Sequence, residues 1–333
     1  MNLSDRIDAF NKLSQYLLKD IYKDNRILIR KIQLINPWFT STNIRLALQY
    51  WQINLDSHNV SKWINRYNVS EGLCKTVLLV MPGNIPMVGF HDLLSVLILG
   101  NKVIIKLSSN DNILIPLLIN KLIEYEPRFK DKIIIADKFS DYKIDAVIVT
   151  GNNDTARYFR YYFRNIKKII RNSRSSVAVL NGQESDKQLS ALADDIFTYF
   201  GLGCRNVSKI FVPKGYKLVN LLDYFKRYES IYLHQKYINN YHHHRSLFLM
   251  QSIDFIDSSF FLMQESKSLF APISVIYYEF YDHEINVEEF IDGNNLNLQC
   301  IIGNNNLPFG SAQFPKLWDY ADNIDTVNFL EGV

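Results

Sequence analysis

Five short apolar runs recur through the first half of the chain, and helix-length segments separate several of them. The runs are residues 76–80 (TVLLV), 103–107, 132–136, 146–150 and 168–171. Between them the spacing predicts helices over 86–99, with proline in the first turn and Gly100 just past the end, over 111–125, and over 154–163. Strand–helix–strand repetition with short, wholly apolar strands calls for a parallel sheet with helices on its faces. Such sheets take ligands at the carboxyl ends of their strands. The candidate binding loops are therefore 81–86, 108–111 and 151–154, all rich in Gly, Asn and Ser.

The flanking regions have a different texture. Residues 1 to about 70 read as helices, with apolar spacing over 5–18 and again over 42–54, where Thr42 suits an N-cap. Trp38, Trp51 and Trp63 in this region read as core or interface packing, because tryptophan buries a large area wherever it lands. A second α/β unit begins near Ser176, with strand 177–180, helix 186–199, strand 209–213 and a later strand over 274–280. The tail, 319–329, is acidic with spaced apolar residues.

A length of 333 residues suffices for two domains with cores of their own. The net charge of +3 is too balanced to argue for nucleic acid or an anionic membrane as partner. The cysteines Cys74, Cys204 and Cys300 are far apart and odd in number, which suggests neither a disulfide framework nor a zinc site. With a charged N-terminus and no apolar run long enough to span a bilayer, a cytoplasmic protein is expected.

Of the three thiols, Cys204 has the most suggestive setting. It lies between a predicted helix and a predicted strand, with Gly201 and Gly203 before it and Arg205 after it. The glycines permit a tight turn with positive φ, and a neighbouring guanidinium favours the thiolate. The residues alone leave a small, buried packing cysteine equally open. Other motifs fail or point to structure. Gly201-Leu202-Gly203 would need Gly or Ala at position 206 to be a dinucleotide fingerprint, and Asn206 stands there. There is no phosphate-binding P-loop and no serine-hydrolase elbow. The adjacent rings of His242, His243 and His244 would not converge on a metal, and His91-Asp92 suits a helix start.

In order, MPGNIP (81–86), GNKVIIKLSSND (100–111), VIVTGN (147–152), VAVLNG (177–182), FGLGCRNVSKIFVP (200–213) and SLFAPISVI (268–276) resemble the motif series of the aldehyde dehydrogenase superfamily. LPFGSAQFPKLWDYADNIDTVNFL (307–330), with YFGLGCRNVS, is similar to a narrower group, the acyl-CoA reductases that include the fatty-acid reductase of bacterial luminescence. The likeness extends over roughly residues 36–330.

The resemblance implies an α/β, aldehyde dehydrogenase-like fold: a Rossmann-like cofactor domain with a parallel sheet, and an α/β catalytic domain. On this reading 1–70 is a helical segment packed on the cofactor domain, and 71–175 is the dinucleotide-binding domain. Residues 176–310 form the catalytic domain, and 311–333 a tail. Cys204 would be the acyl-accepting nucleophile, and Asn84 would donate to the oxyanion together with the Cys204 main-chain N–H. Lys106, Ser108 and Ser109 would face the cofactor ribose and phosphate. Thr150, Gly151 and Asn152 would flank the pyrophosphate, with Phe270 at the nicotinamide end. No metal is implied.

Three departures from the superfamily pattern refine this expectation. Val179 stands where aldehyde-oxidising relatives carry the glutamate that activates the deacylating water, so hydrolysis of an acyl-enzyme should be slow. Ser109 replaces an acidic residue that grips the adenine ribose, which admits NADPH as well as NADH. Ser268 replaces a glutamate that contacts the nicotinamide ribose. The expected activity is reduction of an acyl-CoA, or an acyl-protein thioester, to a fatty or other aldehyde through a thioester intermediate. The alternatives are a cysteine-dependent acyltransferase or thioesterase, and a non-catalytic acyl-binding protein. Expected partners are the acyl donor, an acyl-protein synthetase and a second copy in a homodimer, with 325–330 as a pairing strand. At this length the superfamily's oligomerisation hairpin is expected to be missing.

Overall fold

The computed structural model describes residues 1–17, 26–69 and 74–333. These form two compact units, Met1–Ser173 with Lys316–Val333, and Arg174–Pro315.

The first unit opens with helices α1 (Leu3–Tyr16), α2 (Arg26–Ile35), α3 (Ser41–Asn54) and α4 (Ser57–Ile64). A reciprocal cap between Asn2 and Asp5 starts α1. Leu18, expected to end it, lies outside the described residues, as does the 70/71 boundary. Helix α3 starts earlier than its spacing predicts. Its cap is Thr40, whose Oγ1 accepts the Asn43 N–H at 3.2 Å, and not Thr42.

The sheet of this unit then follows as β1 (Thr76–Val80), α5 (Phe90–Ile98), β2 (Lys102–Lys106), α6 (Leu114–Tyr125), β3 (Ile133–Ile135), β4 (Ala146–Thr150), α7 (Asn153–Tyr162) and β5 (Lys167–Arg171). The strand order is β3-β2-β1-β4-β5, all parallel. Successive strand side chains point to opposite faces. Val77, Leu79, Val103, Ile105 and Ile148 therefore join the core under the N-terminal helices, α5 and α6. Leu78, Val80, Ile104, Val147 and Val149 meet Phe159 and Phe163, which α7 and its end contribute to the other face. Covered on both faces, the strands have no polar side, which is why they read as unbroken apolar runs.

Two of these helices begin later than expected. Residues 86–89 form a turn in which Met87 has φ +60°, and α5 starts at Phe90. Asp111, expected inside a helix, instead accepts the Met87 N–H with Oδ2 at 3.2 Å, and α6 starts at Leu114.

The second unit runs β6 (Ser175–Val179), α8 (Asp186–Phe197), β7 (Val207–Pro213), α9 (Val219–Phe225), α10 (Gln235–Met250), β8 (Ile256–Asp257), β9 (Leu262–Glu265), β10 (Val275–Tyr281), α11 (Glu284–Gly293) and β11 (Leu298–Ile302). Its sheet has the order β11-β6-β7-β10-β9-β8 and is parallel apart from the β8–β9 pair. One face packs on α8 and α9 through Ala178, Ile210 and Val212, and the other on α11 through Val179 and Phe211. Lys209 on β7 is fully buried, and its Nζ meets Glu279 on β10 at 2.5 Å.

The chain then returns to the first unit and ends in α12 (Thr326–Glu331). The expected pairing strand over 325–330 is not formed. Asp325 caps α12 by accepting the Asn328 N–H at 3.0 Å, and Val327 and Leu330 enter the core of the first unit with Leu317 and Tyr320. A helix satisfies its backbone internally and cannot extend a sheet. Among the described residues, no helix is long and apolar enough to cross a membrane.

Candidate functional site

In the first unit the chain reverses its direction of travel across the sheet between β1 and β4, since β2 and β3 lie to one side and β4 and β5 to the other. Parallel sheets bind ligands at such a reversal, outside the carboxyl ends of the strands. The loops that leave β1, β2 and β4 there carry Asn84, Lys106 with Ser108 and Ser109, and Thr150 with Gly151 and Asn152. Asn84, Ser109 and Asn152 are exposed, and Lys106 and Ser108 are half-buried.

The loops after β1 and β2 are locked together. Buried Asn36 donates its amide to the carbonyls of Gly83 and Asn110, at 3.3 and 3.4 Å. A Cβ on Gly83 would fall 2.4 Å from Ser108 Oγ, so only glycine allows this approach. Burial pushes the Asp111 carboxyl up to about 7, and the Met87 N–H bond offsets only part of that rise.

The turn after β4 is braced from below. Arg171 Nη1 reaches Thr150 Oγ1 at 3.2 Å and Asp92 Oδ2 at 2.6 Å, while Nη2 reaches Thr326 Oγ1 at 3.0 Å. Asp92 does sit in the first turn of α5, but its partner is this buried guanidinium. His91 packs among Trp51, Trp63 and Tyr320. Asn152 caps α7 through the Thr155 N–H at 2.9 Å.

Cys204 and Phe270 belong to the second unit, and Cys204 is half-buried just before β7. After α8 the backbone turns left-handed for three residues: Tyr199 (φ +54°), Phe200 (φ +59°) and Gly201 (φ +76°). The expectation that glycines supply the positive φ holds at Gly201; Gly203 is not in that region, and two aromatic residues are. Each non-glycine residue held there costs about 1–2 kcal/mol. Neighbours that fix the conformation offset this. Phe200 packs on His234 with ring centroids 4.4 Å apart, and Tyr199 is buried.

The Asn206 amide donates to the carbonyls of Asp195, Ile196 and Thr198 at 3.1, 3.1 and 2.8 Å, capping α8, and its Oδ1 accepts the Gly203 N–H at 2.8 Å. The sequence shows Asn206 only as the residue that breaks a dinucleotide fingerprint. Its role depends on the end of a helix ten residues away.

Ser176 on β6 adds a further tie, its Oγ donating to the Cys204 carbonyl at 3.0 Å. That hydroxyl also lies 3.0 Å from Cys300 Sγ and accepts the Cys300 N–H at 3.2 Å. Burial raises the Cys300 thiol, and the Arg205 guanidinium beside it offsets part of the effect. The Arg205 guanidinium thus acts electrostatically on Cys300 as well as standing next to Cys204 in sequence. Asp195, buried on α8, holds the N–H groups of Gly310 and Ala312 at 2.6 and 2.9 Å, and burial pushes it up to about 6.

Phe270 is 47% exposed, and the Ser208 hydroxyl on β7 donates to the preceding carbonyl, that of Leu269, at 2.6 Å. Val179 is buried in an apolar cluster with Val177, Phe211 and Leu269. His242, His243 and His244 lie on α10. Among the described residues no group of three or more His, Cys, Asp or Glu is placed to hold a metal ion.

Solved structures similar to this one include several aldehyde dehydrogenases. KauB from Pseudomonas aeruginosa superposes with a TM-score of 0.63 at 10% identity, over 91% of this chain and 72% of that one. AldC from Pseudomonas syringae, solved as a mutant with NAD+ and octanal, gives 0.63 at 10% identity over 89% and 70%. Betaine aldehyde dehydrogenase from Staphylococcus aureus, with NAD+, gives 0.62 at 11% identity over 87% and 68%. At these identities the likeness is one of fold. No significant sequence match to a curated protein was found. Residues 25–221, more than half of the chain and the whole stretch from α2 through the Cys204 turn and β7, match the sequence model described as acyl-CoA reductase (LuxC), and the protein belongs to that family.

Proposed function

We propose that the protein reduces an acyl thioester to an aldehyde, with Cys204 as the acyl-accepting nucleophile. The observation that carries this reading is the Cys204 turn. In a member of this family, a half-buried thiol closely follows a stretch, Tyr199 and Phe200, held in a costly left-handed conformation by its packing and by the Asn206 amide at the end of α8. Strain kept at one place by surrounding bonds is a mark of a functional position.

In the first step a bond forms between Cys204 Sγ and the acyl carbon while the bond from that carbon to the CoA sulfur breaks, and CoA leaves as its thiolate. The oxyanion between these events would be met by the Asn84 amide and the Cys204 N–H, each such donor being worth about 3–4 kcal/mol. Val179 and its apolar neighbours offer no base to activate water, so the acyl-enzyme persists for reduction.

The first unit has what a dinucleotide needs: a strand-order reversal between β1 and β4, a half-buried lysine at the end of β2, and an Asn-capped helix start after β4. Lys106, Ser108 and Ser109 would hold the ribose and phosphate, Thr150, Gly151 and Asn152 the pyrophosphate, and Phe270 the nicotinamide end. Bound there, NADPH would supply the hydride that reduces the acyl carbon, after which the aldehyde leaves and the Cys204 thiolate is restored. Ser109 carries no charge to repel a 2′-phosphate, which admits NADPH as well as NADH. The acyl donor is CoA or a carrier protein.

The test is NADPH oxidation with a panel of acyl-CoAs and carrier-protein thioesters, wild type beside Cys204→Ala. Acyl-dependent oxidation that vanishes in the variant is the expected result. Acylation of Cys204, seen by intact mass, with no NADPH consumed would refute reduction and leave an acyltransferase. A Cys204 that no donor acylates would remove the enzyme reading.

A further inference from the structure

We infer that Asn206 and Ser176 are positioning residues that aim the Cys204 main-chain N–H at the oxyanion of the proposed reaction, and the inference rests on that reaction. Three successive peptide groups around Cys204 are each gripped by one of these two residues. Asn206 Oδ1 takes the N–H of Gly203 at 2.8 Å. The Asn206 main-chain N–H takes the carbonyl of Gly203 at 3.0 Å. Ser176 Oγ takes the carbonyl of Cys204 at 3.0 Å.

The second bond matters most, because the Gly203 carbonyl and the Cys204 N–H belong to one planar trans peptide and point in opposite directions. Holding the carbonyl toward Asn206 directs the Cys204 N–H away from it. The bonds on either side keep that peptide from rotating.

Both clamps are anchored. Asn206 and Ser176 are buried, and the amide of Asn206 is committed to three carbonyls at the end of α8. The Ser176 N–H donates to the Asn206 carbonyl at 3.2 Å, joining the two clamps just before β7. Ser176 Oγ has one proton, which goes to the Cys204 carbonyl. It can therefore accept from the Cys300 N–H and thiol, and this fixes the hydroxyl rotor. An oxyanion donor is effective when it is oriented before the reaction begins, and this network supplies that orientation without touching the substrate.

The test separates aiming the N–H from simply holding the thiol. Iodoacetamide alkylates a thiolate at a saturated carbon and forms no oxyanion, whereas a thioester must pass through one. Both rates would be measured on the Cys204 peptide by mass spectrometry, with full-length wild type, Ser176→Ala and Asn206→Ala, without NADPH. The expected result is acylation by an acyl-CoA slowed about 10–100-fold in Ser176→Ala, with alkylation within about threefold of wild type. Asn206→Ala should lose at least as much acylation. If it does not accumulate, Ser176→Ala, which lacks one hydroxyl, carries the test alone. Equal slowing of both rates, or no slowing of acylation, overturns the inference. Wild type that is alkylated at Cys204 but acylated by no thioester overturns the reductase reading instead, and does so before any variant is compared.

Discussion

Arg171→Met would take a guanidinium from the interior of the first unit and strand the carboxylate it faces. The Arg171 and Asp92 side chains are 3% and 7% exposed and meet at 2.6 Å. Removing one partner of such a pair costs about 3–5 kcal/mol, because the remaining charge stays buried without compensation. The bonds to Thr150 and Thr326 add about 1 kcal/mol each. The single variant should therefore lose about 5 kcal/mol. Arg171→Met with Asp92→Leu has no stranded charge and forfeits mainly the two hydroxyl bonds, so it should lose only about 2 kcal/mol. The double variant should thus be about 3 kcal/mol more stable than the single, whereas a second substitution at an independent buried site would only add to the loss. Urea unfolding followed by tryptophan fluorescence reads this unit alone, since Trp38, Trp51, Trp63 and Trp318 all lie within it. A single variant losing under about 1 kcal/mol, or a double variant no more stable than the single, would refute the reasoning.

Asp111 and Gly303 give two further expectations. With a folded-state value of about 7 against 3.8 unfolded, Asp111 favours the folded state most when protonated. Its contribution is full below pH 4 and is lost as pH rises toward 7, by up to about 4 kcal/mol. Asp111→Asn should flatten the fall in melting temperature between pH 4 and 7, and an unchanged pH profile would show that another group governs it. Gly303 has φ +82°, and a Cβ there would lie 2.4 Å from the Val179 carbonyl oxygen. Gly303→Ala should cost about 3 kcal/mol, and wild-type urea stability in that variant would mean the backbone yields more easily than its packing suggests.

The strands and their parallel order were readable because a strand covered on both faces must be apolar throughout, as 76–80 and 146–150 are. The helix starts were less so. Pro86 looks like a first-turn proline, but the Asp111 carboxyl, 24 residues on, draws Met87 into a loop and delays α5 to Phe90. Residues 325–330 look strand-like, yet Asp325 caps a helix whose burial is decided by Leu317 and Tyr320. At the site, Cys204 could be found from its neighbours and the order of motifs. Nothing local predicts left-handed backbone at Tyr199 and Phe200, whose propensities oppose it. Asn206 and Ser176 imposed themselves only once the fold brought β6, α8 and the turn together.

Three residues of the closing motif DYADNIDT (319–326), Tyr320, Asp325 and Thr326, have partners inside the first unit, though the stretch lies beyond the residues 25–221 that match the family. The Tyr320 hydroxyl takes the Trp63 indole N–H at 2.7 Å and lies 2.7 Å from the Tyr67 hydroxyl, which donates to Asp325 at 2.9 Å. Asp325 also caps α12, and Thr326 is the Arg171 partner. The Arg171 that holds Thr326 also braces Thr150, at the turn where the pyrophosphate is proposed to lie. The motif thus closes a buried polar network across α4, β4, β5 and α12. Such a network is stabilising only when every member is satisfied, and a half-satisfied one is worse than an apolar core. That requirement favours these hydroxyl and carboxylate residues at these spacings. The stretch therefore serves, through Thr326 and Arg171, to hold the turn after β4 in place.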